Sequence, residues 1–303
     1  MYNVRIKDFG NGRKQYTLYS KPVDSTKSID DKLVDDIRFY EELLVNANDE
    51  QKRFIIKRIT ALKDKAESEK AALPCEMSDW QYGKFLEHKE ESRLLYQLGN
   101  DKRAKKKIWD YSRANTWDYF LTFTFNQECV DRYDYEACKK KLTKWLDNVS
   151  RRYCGGCLKY LVVPEQHKDG AWHFHGLFAN SDGIVYSDSG VKDAKGRIVY
   201  NLPQYKLGFT TATAVTDTHR VSLYITKYVT KAVCTTLNGK RRYLASNNLS
   251  LPKETYLLTE NIDEFIINMY NNNHDLDVEW TQQKDYEICG DKRYMLILET
   301  NES

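Results

Sequence analysis

The chain has 303 residues, enough for one large domain or two small ones. It is 41% hydrophobic, 13% aromatic and 30% charged, with a mean hydropathy of −0.71; a sizeable core is feasible, and no stretch reaches the length of a membrane span. The opening "MYNVRIKDFGNGRKQY" lacks the apolar run of a signal peptide, so a cytoplasmic protein is expected. The formal net charge of +3 conceals a segregation. Residues 1–100 hold 18 basic and 18 acidic side chains, residues 101–253 hold 26 and 14, and residues 254–303 hold 3 and 12. The middle segment, at +12, suits a polyanionic partner, and the last segment is acidic at −9. Seven scattered cysteines, an odd number, predict reduced thiols. The one tight pair, Cys154-Gly155-Gly156-Cys157, has no second pair beside it, so a turn carrying two thiols is expected rather than a zinc site.

Residues 1–27 predict an N-terminal hairpin that turns at Gly10-Asn11-Gly12. Residues 28–114 predict helices: Leu33, Ile37, Tyr40 and Leu44 recur at helical spacing, as do Ile55, Ile59 and Leu62, and Pro74 interrupts the pattern. The last of these helices carries the basic run "DKRAKKK" (101–107).

The period then changes. "DYFLTFTFN" (118–126) alternates as a half-buried strand does. "YEACKKKLTKWLDNVSRRY" (135–153) predicts an amphipathic helix with Cys138, Leu142, Trp145 and Val149 as its apolar stripe and a basic opposite face. "LKYLVVPEQH" (158–167) and "AWHFHGLFAN" (171–180) predict two strands joined by Lys168-Asp169-Gly170. Residues 181–206 read as a loop or small hairpin, and "KLGFTTATAV" (206–215) as another strand. Residues 216–233 predict a helix capped by Asp217 or Thr218.

Two features carry chemistry. Side chains alternate along a strand, so His173 and His175 leave the same face roughly 7 Å apart, with Trp172, Phe174 and Phe178 on the other. If the connection is a three-residue loop with Gly170 in the left-handed conformation, Glu165 faces His173 and Val163 faces His175. A two-residue turn would place Glu165 opposite Phe174, on the wrong face. With the longer loop, Glu165, His173 and His175 form a candidate ligand set for Mg²⁺ or Mn²⁺ with coordination positions left open for substrate. The second feature is "YITKYVTK" (224–231): Tyr224 and Tyr228 share a helix face, and each is followed one turn later by a lysine, Lys227 or Lys231. Val221, Ile225, Val229 and Val233 form a separate docking stripe. A phenol, a nearby ammonium and an open metal site together describe phosphodiester cleavage through a covalent intermediate. The competing reading of the histidines, a cupin or iron oxygenase, leaves the tyrosine helix without a role.

Three segments, in order, resemble the HUH rolling-circle replication initiators of phages and plasmids: "FLTFTFN" (120–126), "PEQHKDGAWHFHGLF" (164–178) and "YITKYVTK". The doubled tyrosine resembles the two-tyrosine variant of single-stranded DNA phages, and "RRYLASNNLSLP" (241–252) is similar to a segment that follows the tyrosine helix in some of them. The resemblance covers residues 115–235. It implies an α+β fold, a five-stranded antiparallel sheet with flanking helices, over an HUH nuclease domain at 115–253, followed by the acidic segment 254–303. It implies a prokaryotic host cell and nicking of one strand of origin DNA, with a 5′-phosphotyrosine link and a free 3′ hydroxyl. Glu165, His173 and His175 would hold the divalent metal, Mg²⁺ or Mn²⁺. Tyr224 would be the nucleophile, Tyr228 a second one, and Lys227 would steady the phosphate. Single-stranded origin DNA is the implied partner, with the basic helix 139–152 and the run 102–107 as backbone contacts. The chain has no G-x-x-x-x-G-K-[ST] motif, so no nucleotide cofactor is expected, and a host helicase and polymerase would be needed. An HUH-fold origin binder or repressor without nicking activity, and a single-tyrosine transposase, are the alternatives within the same resemblance.

Overall fold

The computed structural model describes residues 2–10, 12–23, parts of 52–60, 103–232, 242–271, 276–286 and 291–300. The chain divides into two compact units, one of residues 1–98 with 252–303 and one of residues 99–251. Most of the helical region expected at 28–114 lies outside the described residues. Within it, described positions of 52–60 and the stretch 103–113 are helical, and Ile55 and Ile59 are buried.

The first unit contains a five-stranded antiparallel sheet. β1 (Tyr2–Gly10) and β2 (Arg13–Val23) form the expected hairpin, with Gly10 and Gly12 at positive φ in the turn. β10 (Lys253–Leu257) pairs with β1, β12 (Asp291–Thr300) pairs with β2, and β11 (Leu276–Tyr286) completes the order β10-β1-β2-β12-β11. The segment expected only as an acidic tail therefore supplies three strands of this sheet and a helix, Ile262–Asn271. Met269 on that helix is buried with Tyr16.

The second unit is built on a seven-stranded antiparallel sheet in the order β6-β7-β8-β3-β5-β4-β9. Its strands are β3 (Tyr119–Phe125), β4 (Lys159–Gln166), β5 (Trp172–Ala179), β6 (Ser187–Lys192), β7 (Ile198–Asn201), β8 (Gly208–Ala214) and β9 (Leu244–Ala245). The sheet is wider than the five strands expected. The stretch 181–206 folds as a β6–β7 hairpin on one edge, and the two-residue β9 closes the other beside β4. Neither has a strand-like apolar period: β6 is the polar "SDSGVK", and two residues carry no period.

Alternation divides this sheet into two apolar layers. Leu121, Phe123, Phe125, Val162, Phe174, Phe178 and Ala212 point to one face, where α1 (Tyr135–Tyr153) packs Cys138, Leu142, Trp145, Leu146 and Val149 onto them. Asp134 caps α1, its carboxylate accepting from the Glu136 and Ala137 amides at 2.8 and 3.3 Å. Gly155 and Gly156, both at positive φ, turn the chain after it, so the Cys154–Cys157 pair sits in a turn with its thiols free. The opposite face carries Leu161, Val163 and Leu177. These are covered by Ile225 and Tyr228 of α2 (Thr218–Ala232) and by Ile108 of the 103–113 helix. α2 leaves part of that face open, and the histidines stand at the boundary.

Candidate active site

The β4–β5 connection is the three-residue loop. The His167 amide donates to the Ala171 carbonyl at 2.8 Å, the Gly170 amide donates to the His167 carbonyl at 2.9 Å, and Gly170 has φ +87°. Glu165 is consequently the cross-strand partner of His173, and Val163 that of His175. One more element shares this register. β3 sets Thr122 opposite His175 and Thr124 opposite His173. Their hydroxyls reach the ring nitrogens, Thr122 Oγ1 to His175 Nδ1 at 3.1 Å and Thr124 Oγ1 to His173 Nδ1 at 3.3 Å. A hydroxyl both donates and accepts, so each threonine satisfies its Nδ1 in either tautomer and leaves Nε2 for another partner.

For His175 that partner is Glu165: Nε2 lies 2.8 Å from Oε2, with both side chains largely buried. Adjacent ligands on an octahedral ion stand about 3 Å apart at metal–oxygen distances near 2.1 Å, so this pair already has the separation that a shared cation requires. His173 stands on the same face, but its ring packs beside His167, with centroids 5.1 Å apart. Among the described residues no three His, Cys, Asp or Glu side chains converge closely enough to hold an ion. The donor set of two imidazoles and one carboxylate, with both Nδ1 atoms occupied by hydroxyls, nevertheless has the chemistry of a divalent site. Burial, reinforced by His167 and His175, lowers the His173 pKa, which keeps its ring neutral and its lone pair available.

Helix α2 brings the tyrosines over this face. Its start is fixed by Asp217, whose side chain accepts from the Arg220 amide at 2.9 Å. Ile225 docks it onto Leu161, Val163 and Leu177. The ring of Tyr228 lies flat on His175, 3.9 Å between centroids and 15° between planes. Tyr224 stands edge-on to Tyr228 at 5.0 Å and to Phe120 at 5.2 Å. The two phenols differ in setting. Tyr228 is 7% exposed and Tyr224 is 49% exposed. Burial first, then the hydrogen bond with Tyr224, pushes the Tyr228 pKa well above the usual phenol range. Lys227 lies on the exposed side of the same helix, and the side chains of Val229 and Lys231 lie outside those described.

Glu165, His175, Tyr224 and Tyr228 are thus brought together, with His173 beside them. Sequence reasoning does not anticipate the roles of Thr122, Thr124 and Phe120, nor the burial of Tyr228. The β3–β5 register would have found the threonines, because both strands alternate and their partners follow from one fixed pair.

No curated protein and no solved structure matches the chain. Residues 118–233, which span β3 through the tyrosine helix, match the model of a family described as replication-associated protein ORF2, and that similarity supports a replication initiator acting on DNA.

Proposed function

We propose that this chain is a replication-initiator endonuclease. It nicks one strand of origin DNA by transesterification to tyrosine, leaving a 5′-phosphotyrosine link and a free 3′ hydroxyl. The observation that carries the reading is the stacking of Tyr228 on His175, which sets helix α2 and its two phenols over the imidazole–carboxylate pair. The family match over the same residues supports it.

Glu165, His173 and His175 would hold a Mg²⁺ or Mn²⁺ ion, which when bound polarises the scissile phosphate. The chain's own residues do the rest. Tyr224, half exposed, is the better-placed nucleophile: its oxygen forms the new bond to phosphorus as the bond from phosphorus to the 3′ oxygen breaks. The phenol gives up one proton and the departing 3′ oxygen gains one, so the exchange balances. Tyr228, buried and held protonated, positions His175 from above and Tyr224 from the side. Lys227 lies one turn from Tyr224 and offers a cation to the phosphate. Thr122 and Thr124 hold the imidazoles in orientation. The basic face of α1 supplies contacts to the DNA backbone.

Incubation with single-stranded origin DNA and Mn²⁺ should give a covalent 5′-linked adduct visible by denaturing electrophoresis. Tyr224→Phe should abolish it, and Tyr228→Phe should slow it. An adduct that persists in the double variant would remove the tyrosines from the mechanism. His173→Ala should lose cleavage while retaining salt-sensitive DNA binding.

A further inference from the structure

The open part of the sheet face beside the histidines carries one large exposed ring. Phe209 on β8 is 58% exposed. Its cross-strand partner on β3 is Thr124, and the partner of Thr124 on β5 is His173. Phe209, Thr124 and His173 therefore form one row across three adjacent strands and share a face. Two strand spacings put Phe209 roughly 10 Å from the His173 backbone. The next row of this face, Thr211, Thr122 and His175, is hydroxyl and imidazole. Tyr224 borders the open strip at its other end, over Phe120.

The position of Phe209 is fixed by its neighbour. A Cβ on Gly208 would lie 2.2 Å from the Thr124 carbonyl oxygen, so only glycine lets β8 start this close to β3. The side chains around the ring are polar, which gives a protein partner little apolar area to cover. Exposed Lys206 and Lys168 stand at the same end of the sheet, at the start of β8 and in the β4–β5 loop. A lone aromatic plane, a strip of hydroxyls and flanking cations are the complement of a single nucleic-acid strand: a base for the ring, sugar and phosphate for the rest.

We infer that Phe209 is a stacking platform for a nucleobase of the single-stranded DNA that crosses the histidine face. The inference rests on the proposed action of this site on single-stranded DNA. It adds the surface that holds the strand next to the reacting phosphate. Stacking on an aromatic ring tolerates any base, so Phe209 contributes affinity and placement rather than sequence reading.

The test is equilibrium binding of the full chain to fluorescein-labelled oligothymidine, by anisotropy, with chelator present so that cleavage cannot occur. Phe209→Ala should weaken binding roughly tenfold or more. The slope of log affinity against log salt should not change, because no charge is removed, and the melting temperature should be unaltered at this exposed position. Phe209→Trp should bind as the parent does, and its added indole fluorescence should be quenched by the DNA. Equal binding by parent and Phe209→Ala, full recovery by Phe209→Leu, or an unquenched indole each overturns the platform. So does a Phe209→Ala defect confined to self-association in light scattering. Adduct formation by the parent separates the two readings. Cleavage with no Phe209 dependence removes the platform alone, Phe209-dependent binding without cleavage removes the nickase alone, and absence of single-strand binding removes both.

Discussion

At the scale of single residues, parity decides the chemistry. His173, His175 and Glu165 share a face because the β4–β5 loop has three residues and Gly170 adopts a left-handed conformation. That much is legible in the sequence, since strand alternation and hairpin geometry are local rules. The burial of Tyr228 is not legible, because it depends on how α2 settles onto β4, and a helical spacing of four allows both rings to be exposed. Tyr205 is another residue whose character comes from packing. It sits among Phe123, Phe125 and Trp145, its hydroxyl lacks a hydrogen-bond partner, and burial raises its pKa strongly. An unfolded phenol ionises near pH 10, whereas this one keeps its proton when folded. The unfolded state thus binds fewer protons above that pH, so Tyr205 favours folding below about pH 10 and the advantage is lost as pH rises further. Tyr205→Phe should hold or raise the melting temperature at pH 7 and flatten its decline between pH 9 and 11, as followed by circular dichroism. Removing a buried hydroxyl without a partner carries little cost.

At the scale of elements, the strongest sequence signals are those with a long period and a marked start. The helix Tyr135–Tyr153 has both, in the stripe Cys138, Leu142, Trp145 and Val149 and in the Asp134 cap, and its bounds match the expected span. β6, β7 and β9 have neither, and they exist because neighbouring strands offer an edge to pair with. Helix α2 lies between these cases: its cap is local and its seat is tertiary. Asp217→Ala removes the acceptor for the Arg220 amide and should cost about 1 kcal/mol of stability, read as a lower midpoint in urea denaturation. Since the same helix presents Tyr224 and Tyr228, the variant should also lose adduct yield more steeply on warming than the parent does.

At the scale of the whole molecule, charge and topology tell different stories. The excess of basic residues in 101–253 coincides with the unit that matches the replication-associated family, a link that composition alone suggests. The sheet of the other unit is invisible to composition, because its strands come from segments more than two hundred residues apart, and no local window contains both partners. A chain cut after Leu251 leaves β1 without β10 and β2 without β12. A lone two-stranded hairpin is marginally stable in water. Hydrogen exchange followed by mass spectrometry should then find 2–23 unprotected while β3, β4 and β5 keep their protection.

That arrangement sets an order on biosynthesis. When the ribosome has delivered residues 99–251, every strand of the histidine-bearing sheet is present and can pair, while the first hairpin to emerge is still waiting for neighbours that are translated last. The oldest part of the nascent chain is therefore among the latest to be completed, and its exposed strand edges are the feature a chaperone would meet during elongation.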